Sequence, residues 1–338
     1  MVTSILFVLD VSSRNGTGHL HRCAVIAEYL MGLGVRSTLA IRGDQTFVRR
    51  LGIAERFACI PLIDGAVEQE IAQLEEIGRS CEVDVVVVDH YRATPAYQDL
   101  LATIGAPWMQ FDNAACFPIR ARWIVNINPS AERDMYRSIS SETCRLLLGP
   151  AYAVLRPEFM ATRELYTLAP TASRALVFLG GGDVRDPLKD LLGYLLPSFP
   201  GTRFHVVGSN ASLTELSQVQ DFANFVCVGE LPTLAQLLPS VDLAIVSAGT
   251  SSYECACVGV PFVTVEVADN QTPIAQAWMA LGVAPRLGRW DEIARDTIAG
   301  VLESVLSGPA RRRQSELGRS LVDGRGVERV VNAILESA

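Results

Sequence analysis

Twice along the chain, short runs rich in β-branched residues alternate with helical patterns, an order that few architectures other than helix-covered parallel sheets accommodate. In the first half the pattern predicts strands over 5–9, 37–41, 83–89, 108–111, 123–126 and 146–148, with helices over 20–33, 68–81 and 95–104. Gly149-Pro150 closes that series, and 156–173, with Pro157 and Pro170 and mixed polarity, reads as the linker. The alternation then restarts, with strands over 175–179, 204–207, 225–228, 243–246 and 262–265. Helices are expected over 186–196, 213–222, 251–258, 272–281 and 292–306, followed by a basic amphipathic tail from Pro309. The fold class is therefore α/β, with two Rossmann-like, doubly wound parallel-sheet domains at 1–158 and 159–338. A cleft between two such sheets suits a bipartite ligand such as a nucleotide sugar, and the last helix is free to cross back to the first domain.

A length of 338 residues suits two domains of about 150 residues each. With 49% hydrophobic and 20% charged residues, both cores can be filled. The net charge of -8 and the scattered basic residues exclude a nucleic-acid surface, which would need a basic stripe. Of 29 basic residues only Lys189 is a lysine, and no GxxxxGK[ST] run occurs, so Schiff-base and P-loop chemistry are set aside. The cysteines at 23, 59, 81, 116, 144, 227, 255 and 257 fall mostly in apolar segments and read as reduced core residues. Cys255-Ala256-Cys257 lacks a second ligand pair, so no metal or cofactor is expected. The start of the chain has no basic leader and no run of eighteen or more apolar residues occurs, which predicts a soluble cytoplasmic protein without stable membrane insertion.

Asn15-Gly16-Thr17-Gly18-His19-Leu20-His21-Arg22 joins the first strand to the first helix. Strand C-termini in open α/β sheets are where ligands bind, and glycines let the backbone approach them closely. His19 in the first helical turn meets the positive end of the helix dipole, which favours a neutral, proton-accepting ring. Arg22 shares its face, whereas His21 points elsewhere. A dinucleotide fingerprint would want a small residue where His21 stands and an acid closing the second strand, which ends Arg42-Gly43-Asp44. Locally, His19 reads either as a base or as a capping or packing residue.

Further loops fall at strand ends. Gly180-Gly181-Gly182-Asp183 follows one strand, and Ser247-Ala248-Gly249-Thr250-Ser251-Ser252 leads into the helix carrying Glu254. Small residues there expose backbone N–H groups, so a pyrophosphate can be held without lysine or metal. Glu254 reads as a ribose acceptor or as a solvated helix residue. Asn270-Gln271 either bridges phosphate and sugar or caps a helix. Asp89-His90-Tyr91 and Phe111-Asp112-Asn113 end buried strands and suggest a sugar-facing wall, although both aspartates could equally tie loops. A glycosidase would want two carboxylates across the scissile bond. A UDP leaving group instead needs one base and stabilisation of the departing pyrophosphate.

Together these segments resemble the UDP-2,4-diacetamido-2,4,6-trideoxy-L-altrose hydrolases of pseudaminic acid biosynthesis and the related spore-coat polysaccharide proteins. The likeness rests on Gly16-Thr17-Gly18-His19 with Arg22, Val88-Asp89-His90-Tyr91, Phe111-Asp112 and the run from Gly149 to Phe159, which includes Tyr152 and Arg156. It continues through Leu179-Gly180-Gly181-Gly182-Asp183, Ser247-Ala248-Gly249 with Tyr253-Glu254, Gly259-Val260-Pro261 and Asn270-Gln271. The resemblance implies a GT-B fold like that of the glycosyltransferase that builds lipid II, with UDP mainly on the second domain. It further implies that His19 activates water for inverting, metal-independent attack at the anomeric carbon, while Tyr91 and Asn270 orient sugar and water. The sugar is expected against Asp10, Ser13, Gly16, Gly18, Arg22, Asp89, His90, Asp112, Asn113, Tyr152 and Arg156. UDP is expected against Gly181, Gly182, Asp183, Ser247, Gly249, Thr250, Ser251, Glu254 and Gln271. The chain departs from the family pattern at Val8, where an arginine is usual, at Asn113 and at Tyr253. The alternatives are a glycosyltransferase of the same fold and a binding subunit without chemistry; the sequence leaves the oligomeric state and the identity of the sugar open.

Overall fold

A computed structural model describes the chain except residues 1, 12–17, 45, 47, 49–51, 182–183, 215, 217, 307 and 337–338, and the side chains of 210 and 211. Among the expected site residues, Ser13, Gly16, Gly182 and Asp183 therefore lie outside the described residues. Two compact units emerge, Met1–Val154 with Arg325–Ala338, and Leu155–Gly324. The division falls at Val154 where 158 was the expected boundary, and the last helix is grouped with the first unit.

In chain order the first unit carries β1 (Ser4–Val11), α1 (Gly18–Gly32), β2 (Arg36–Gly43), β3 (Ala58–Pro61), α2 (Val67–Ser80), β4 (Val85–Asp89), α3 (Pro95–Leu101), β5 (Trp108–Phe111), β6 (Trp123–Asn126) and β7 (Arg145–Leu148). The second carries α4 (Glu158–Leu165), β8 (Arg174–Phe178), α5 (Arg185–Ser198), β9 (Arg203–Val207), α6 (Asn210–Thr214), β10 (Phe225–Gly229), β11 (Leu243–Ser247), α7 (Thr250–Val258), β12 (Phe262–Glu266), α8 (Thr272–Ala280), β13 (Arg286–Arg289), α9 (Arg295–Leu306) and α10 (Gly308–Leu321). Helix α11 (Gly326–Leu335) returns to the first unit.

The first sheet runs β3-β2-β1-β4-β5-β6-β7 and the second β10-β9-β8-β11-β12-β13, with parallel ladder pairings. Strand β1 is buried on both faces, which is why its sequence is almost continuously apolar. Ile5, Phe7 and Leu9 pack with Leu20, Cys23 and Ala27 of α1 and with Val327, Val330, Val331 and Ile334 of α11. Leu6 and Val8 pack on the opposite face with Ile71, Leu74 and Ile77 of α2 and Tyr97 of α3. At roughly 1.5–3 kcal/mol for each buried aliphatic side chain, these two layers dominate the stability of the unit. The second sheet buries Ala175, Val177, Leu243 and Ile245 against Leu188, Leu191, Leu192 and Leu195 of α5 and Ile298, Leu302 and Val305 of α9. On its other face, Trp278 of α8 meets Tyr253 and Phe262 edge-on.

Some elements differ from expectation. The short edge strands β3 and β13 were not expected: β3 is only Ala-Cys-Ile-Pro and ends on a proline, and β13 reads Arg-Leu-Gly-Arg, the charged composition that suits an unpaired edge. The expected linker holds α4, which begins directly after Pro157. Of the helix expected over 213–222, residues 215 and 217 lie outside the described residues, and the described helical residues reach only Thr214. Beyond it, Leu216, Val219 and Phe222 each donate a backbone N–H three residues back, because apolar residues spaced strictly by three suit tight turns better than a 3.6-residue helix. The basic tail is two helices, α10 and α11, separated by a turn whose Gly324 has φ +82°. Among the described residues no helix is long and apolar enough to cross a membrane.

Candidate active site

In each sheet the strand order reverses beside the first strand of the unit, between β1 and β4 and between β8 and β11. Loops leaving two adjacent strands in opposite directions open a crevice there, so these are the two places where a ligand is most readily held.

In the first unit, α1 starts beyond the C-terminal end of β1, and β4 ends on Asp89. Asp89 is 1% exposed and accepts hydrogen bonds from His19 Nδ1 (2.7 Å), Arg22 Nε (2.8 Å) and Arg22 Nη2 (2.5 Å). The Cys23 thiol adds a weaker donor at 3.6 Å. Burial alone would raise the Asp89 pKa, but Arg22 and His19 outweigh it and hold the carboxyl well below its ordinary range. An ionised carboxylate only accepts, so this bond places a His19 proton on Nδ1, and in the neutral ring Nε2 is then the atom that can accept one. Arg22 is itself fixed, its guanidinium lying 4.1 Å from the centroid of Phe111. The Tyr91 ring stands edge-on to His19 at 4.9 Å between centroids, and Tyr91 is 52% exposed.

A second ionic cluster adjoins this one. Arg92 grips Asp10 through Nε (2.9 Å) and Nη2 (2.8 Å), and Glu70 through Nη1 (2.8 Å) and Nη2 (3.2 Å). Glu70 is fully buried and also accepts from Tyr97 Oη (2.8 Å) and Arg42 Nη1 (3.4 Å). His90 Nδ1 accepts the Arg92 backbone N–H at 3.2 Å, while burial lowers the His90 pKa to about 4 and keeps the ring neutral.

In the second unit, Gly180 (φ +115°) follows β8, Ser247 ends β11 with Gly249 just beyond it, and Gln271 follows β12. A Cβ added at Gly180 would meet Ser247 Oγ at 3.7 Å, and one added at Gly249 would meet Ser247 Oγ at 3.8 Å and Gln271 Nε2 at 4.0 Å. Three loops thus converge on small residues at the N-terminus of α7. Gln271 is held by its Oε1, which accepts the Val267 N–H at 2.9 Å, and Thr250 and Asn270 are exposed. Glu254, one turn into α7, is partly buried, and burial raises its pKa to about 7 against the opposing pull of Arg156. Among the described residues no group of three or more His, Cys, Asp or Glu side chains is placed to hold a metal ion.

No known protein-family profile matches the chain. Over 198 residues it is 31% identical to the spore coat polysaccharide biosynthesis protein SpsG of Bacillus subtilis (strain 168), an alignment covering 57% of this chain and 58% of that one. The chain thus spans little more than half the length of the curated relative it matches. Among solved structures, MurG of Acinetobacter baumannii is similar at a TM-score of 0.70 over 99% of both chains, with 15% identity. UDP-GlcNAc 2-epimerase from Neisseria meningitidis, solved bound to UDP-GlcNAc, gives 0.68 over 99% of this chain and 100% of that one, with 11% identity. The fold is GT-B.

Within this GT-B chain the residues singled out from sequence divide by what surrounds them. His19, Arg22 and Asp89 come together, as do Gly249, Ser247 and Gln271. Gly18 opens α1 beside them, and Gly181 is exposed at the end of β8. Several expectations need correction. Asp89 and His90 are both buried: Asp89 is bound by His19 and Arg22, and His90 Nδ1 by the Arg92 backbone N–H, while the buried His90 Nε2 has no hydrogen-bond partner among the described residues. Asp10 is engaged by Arg92, so Val8, fully buried in the core, leaves it with a cation after all. Asp112 ties its loop, accepting from Ala115 N (2.9 Å) and Tyr136 Oη (2.6 Å), while Asn113 is exposed. Ser251 is buried and its hydroxyl turns back to the Ser247 carbonyl at 3.2 Å. Tyr152 packs against the first unit's core, whereas Arg156 belongs to the second unit, donating to the Pro232 carbonyl at 2.7 Å. Arg92 and Glu70 escaped the sequence reading, and Cys23 was read there only as a core residue. Glu70 had a signal, since it shares the α2 face of the apolar positions 74 and 77.

Proposed function

We propose that this GT-B protein hydrolyses a UDP-linked amino or deoxy sugar to UDP and the free sugar, with inversion at the anomeric carbon. The observation that carries the reading is the His19–Asp89–Arg22 arrangement at the first unit's strand reversal, a base with its tautomer set and its partner carboxylate held ionised. His19 Nε2 takes a proton from water, the water oxygen bonds to the anomeric carbon, and the bond from that carbon to the UDP oxygen breaks with its electron pair leaving on the diphosphate. The product retains the water oxygen, and His19 returns its proton to solvent. Tyr91, against the His19 ring, helps to orient sugar and water.

The second unit supplies the diphosphate site through backbone N–H groups around Gly180, Gly181 and Gly249 and the N-terminal end of α7. Glu254 accepts from the ribose hydroxyls, which favour its ionised form, and Asn270 and Gln271 engage phosphate and sugar. The reading draws support from the motif resemblance and from the similarity to a spore-coat polysaccharide protein. Transfer of the sugar to an acceptor is the second reading, favoured by the likeness to MurG. UDP release from a panel of UDP-amino sugars, without acceptor or metal and with the sugar anomer followed by NMR, tests both. Release of the inverted free sugar supports hydrolysis. UDP binding with release only when an acceptor is added overturns it in favour of transfer.

A further inference from the structure

The turn after β4 is held from three directions. The Arg92 backbone N–H is bound by His90 Nδ1, and the Arg92 side chain is bound by Asp10 at the end of β1 and by Glu70 in α2. Tyr91 sits between these two fixed residues, and its ring is the one that meets His19. A guanidinium is suited to this task because it is planar, permanently charged and presents donors on two edges, one to each carboxylate. Four of its five N–H groups are used: Nε and one Nη2 proton on Asp10, the other Nη2 proton and one Nη1 proton on Glu70. A lysine ammonium can satisfy either carboxylate but cannot span both with this geometry.

We propose that Arg92 is a positioning residue: by bridging Asp10 and Glu70 it fixes the turn of residues 90–92 and thereby holds the Tyr91 ring against His19. Arg92 touches neither the base nor, in this account, the substrate. Its effect reaches the reaction through the orientation of one aromatic ring, and a displacement of about 1 Å in such a group is worth on the order of a hundredfold in rate. The kinetic consequence rests on the reading of His19 as the base, whereas the structural consequence does not.

The test uses the full chain labelled at its four histidines. NMR of the His19 ring, assigned with His19→Ala, reads the ring-current shift imposed by Tyr91, with Tyr91→Leu defining its loss. Arg92→Met and Arg92→Lys are compared with the wild type for this shift and for turnover of UDP-amino sugars. The expected result is loss of the shift in both variants, with kcat lowered about a hundredfold in Arg92→Met, about tenfold in Arg92→Lys, and the Kd for UDP unchanged. If Arg92→Met does not fold, Arg92→Lys carries the test. An unchanged His19 shift in a folded variant overturns the proposal whatever the activity. If the wild type turns over no UDP-sugar, the functional reading fails while the NMR comparison still decides the role of Arg92.

Discussion

The two strand reversals are built from opposite materials. In the first unit the crevice is packed with charge: His19, Arg22 and Asp89 in one cluster, Asp10, Arg42, Glu70 and Arg92 in the next, nearly all paired. In the second, the converging groups among the described residues are glycines, a serine and an amide, with the Glu254 carboxylate one turn into the helix. The contrast teaches that holding an anion and preparing a base make different demands. An anion can be bound by backbone dipoles that cost nothing to keep uncharged, whereas a base must have its proton, tautomer and orientation set before the substrate arrives.

The largest effect is expected where the charged cluster loses its centre. Asp89→Ala leaves the Arg22 guanidinium without its buried partner and should lower stability by about 3–5 kcal/mol in denaturant titration. A loss below about 1 kcal/mol would mean that the cluster is not desolvated. Next comes His19→Ala, expected to lower turnover by about two orders of magnitude or more while UDP affinity stays the same. Unchanged turnover in a steady-state assay would remove His19 from the mechanism. In the second unit, Glu254→Ala should weaken UDP binding by about tenfold in calorimetry, the worth of hydrogen bonds to a charged acceptor. Equal affinity would show that the ribose lies elsewhere.

The smallest effect separates the units by pH. Asp89 has a lowered pKa, so the stability it contributes is present above the ordinary aspartate range and is lost only in strong acid. Glu254 behaves in the reverse sense. With its pKa raised from 4.5 to about 7, the folded state binds the extra proton, and stability falls as pH rises between those values. Glu254→Gln should therefore match the wild type at pH 4 and exceed its Tm by about 2–4 °C at pH 8, measured without nucleotide. A wild-type Tm equal to that of the variant at pH 8 would place Glu254 in full contact with water.

Periodicity made the central strands legible because β1, β4, β8, β11 and β12 are buried on both faces and must be apolar. It was silent on β3 and β13, whose edge positions relax that demand. The candidate site was legible where backbone conformation limits residue choice, as in the glycine loops, and where a histidine stands in the first turn of a helix. The role of Asp89 was not. A strand-end aspartate facing a ligand and one buried behind a histidine look alike in one dimension, and only the register of β1 beside β4 brings Asp89 under α1. Arg92 was missed for a related reason, since its partners at positions 10 and 70 are remote in the chain.

The packing of α11 on the first unit has a consequence for the order of assembly. Synthesis runs from the N-terminus, so α1 is made well before Val327, Val330, Val331 and Ile334, which share its core and are translated only after the whole of residues 155–324. Until then the helix bearing His19 has one apolar flank uncovered. The core of the first unit is therefore closed only by a segment made after its neighbour, and the apolar packing around α1 is completed last.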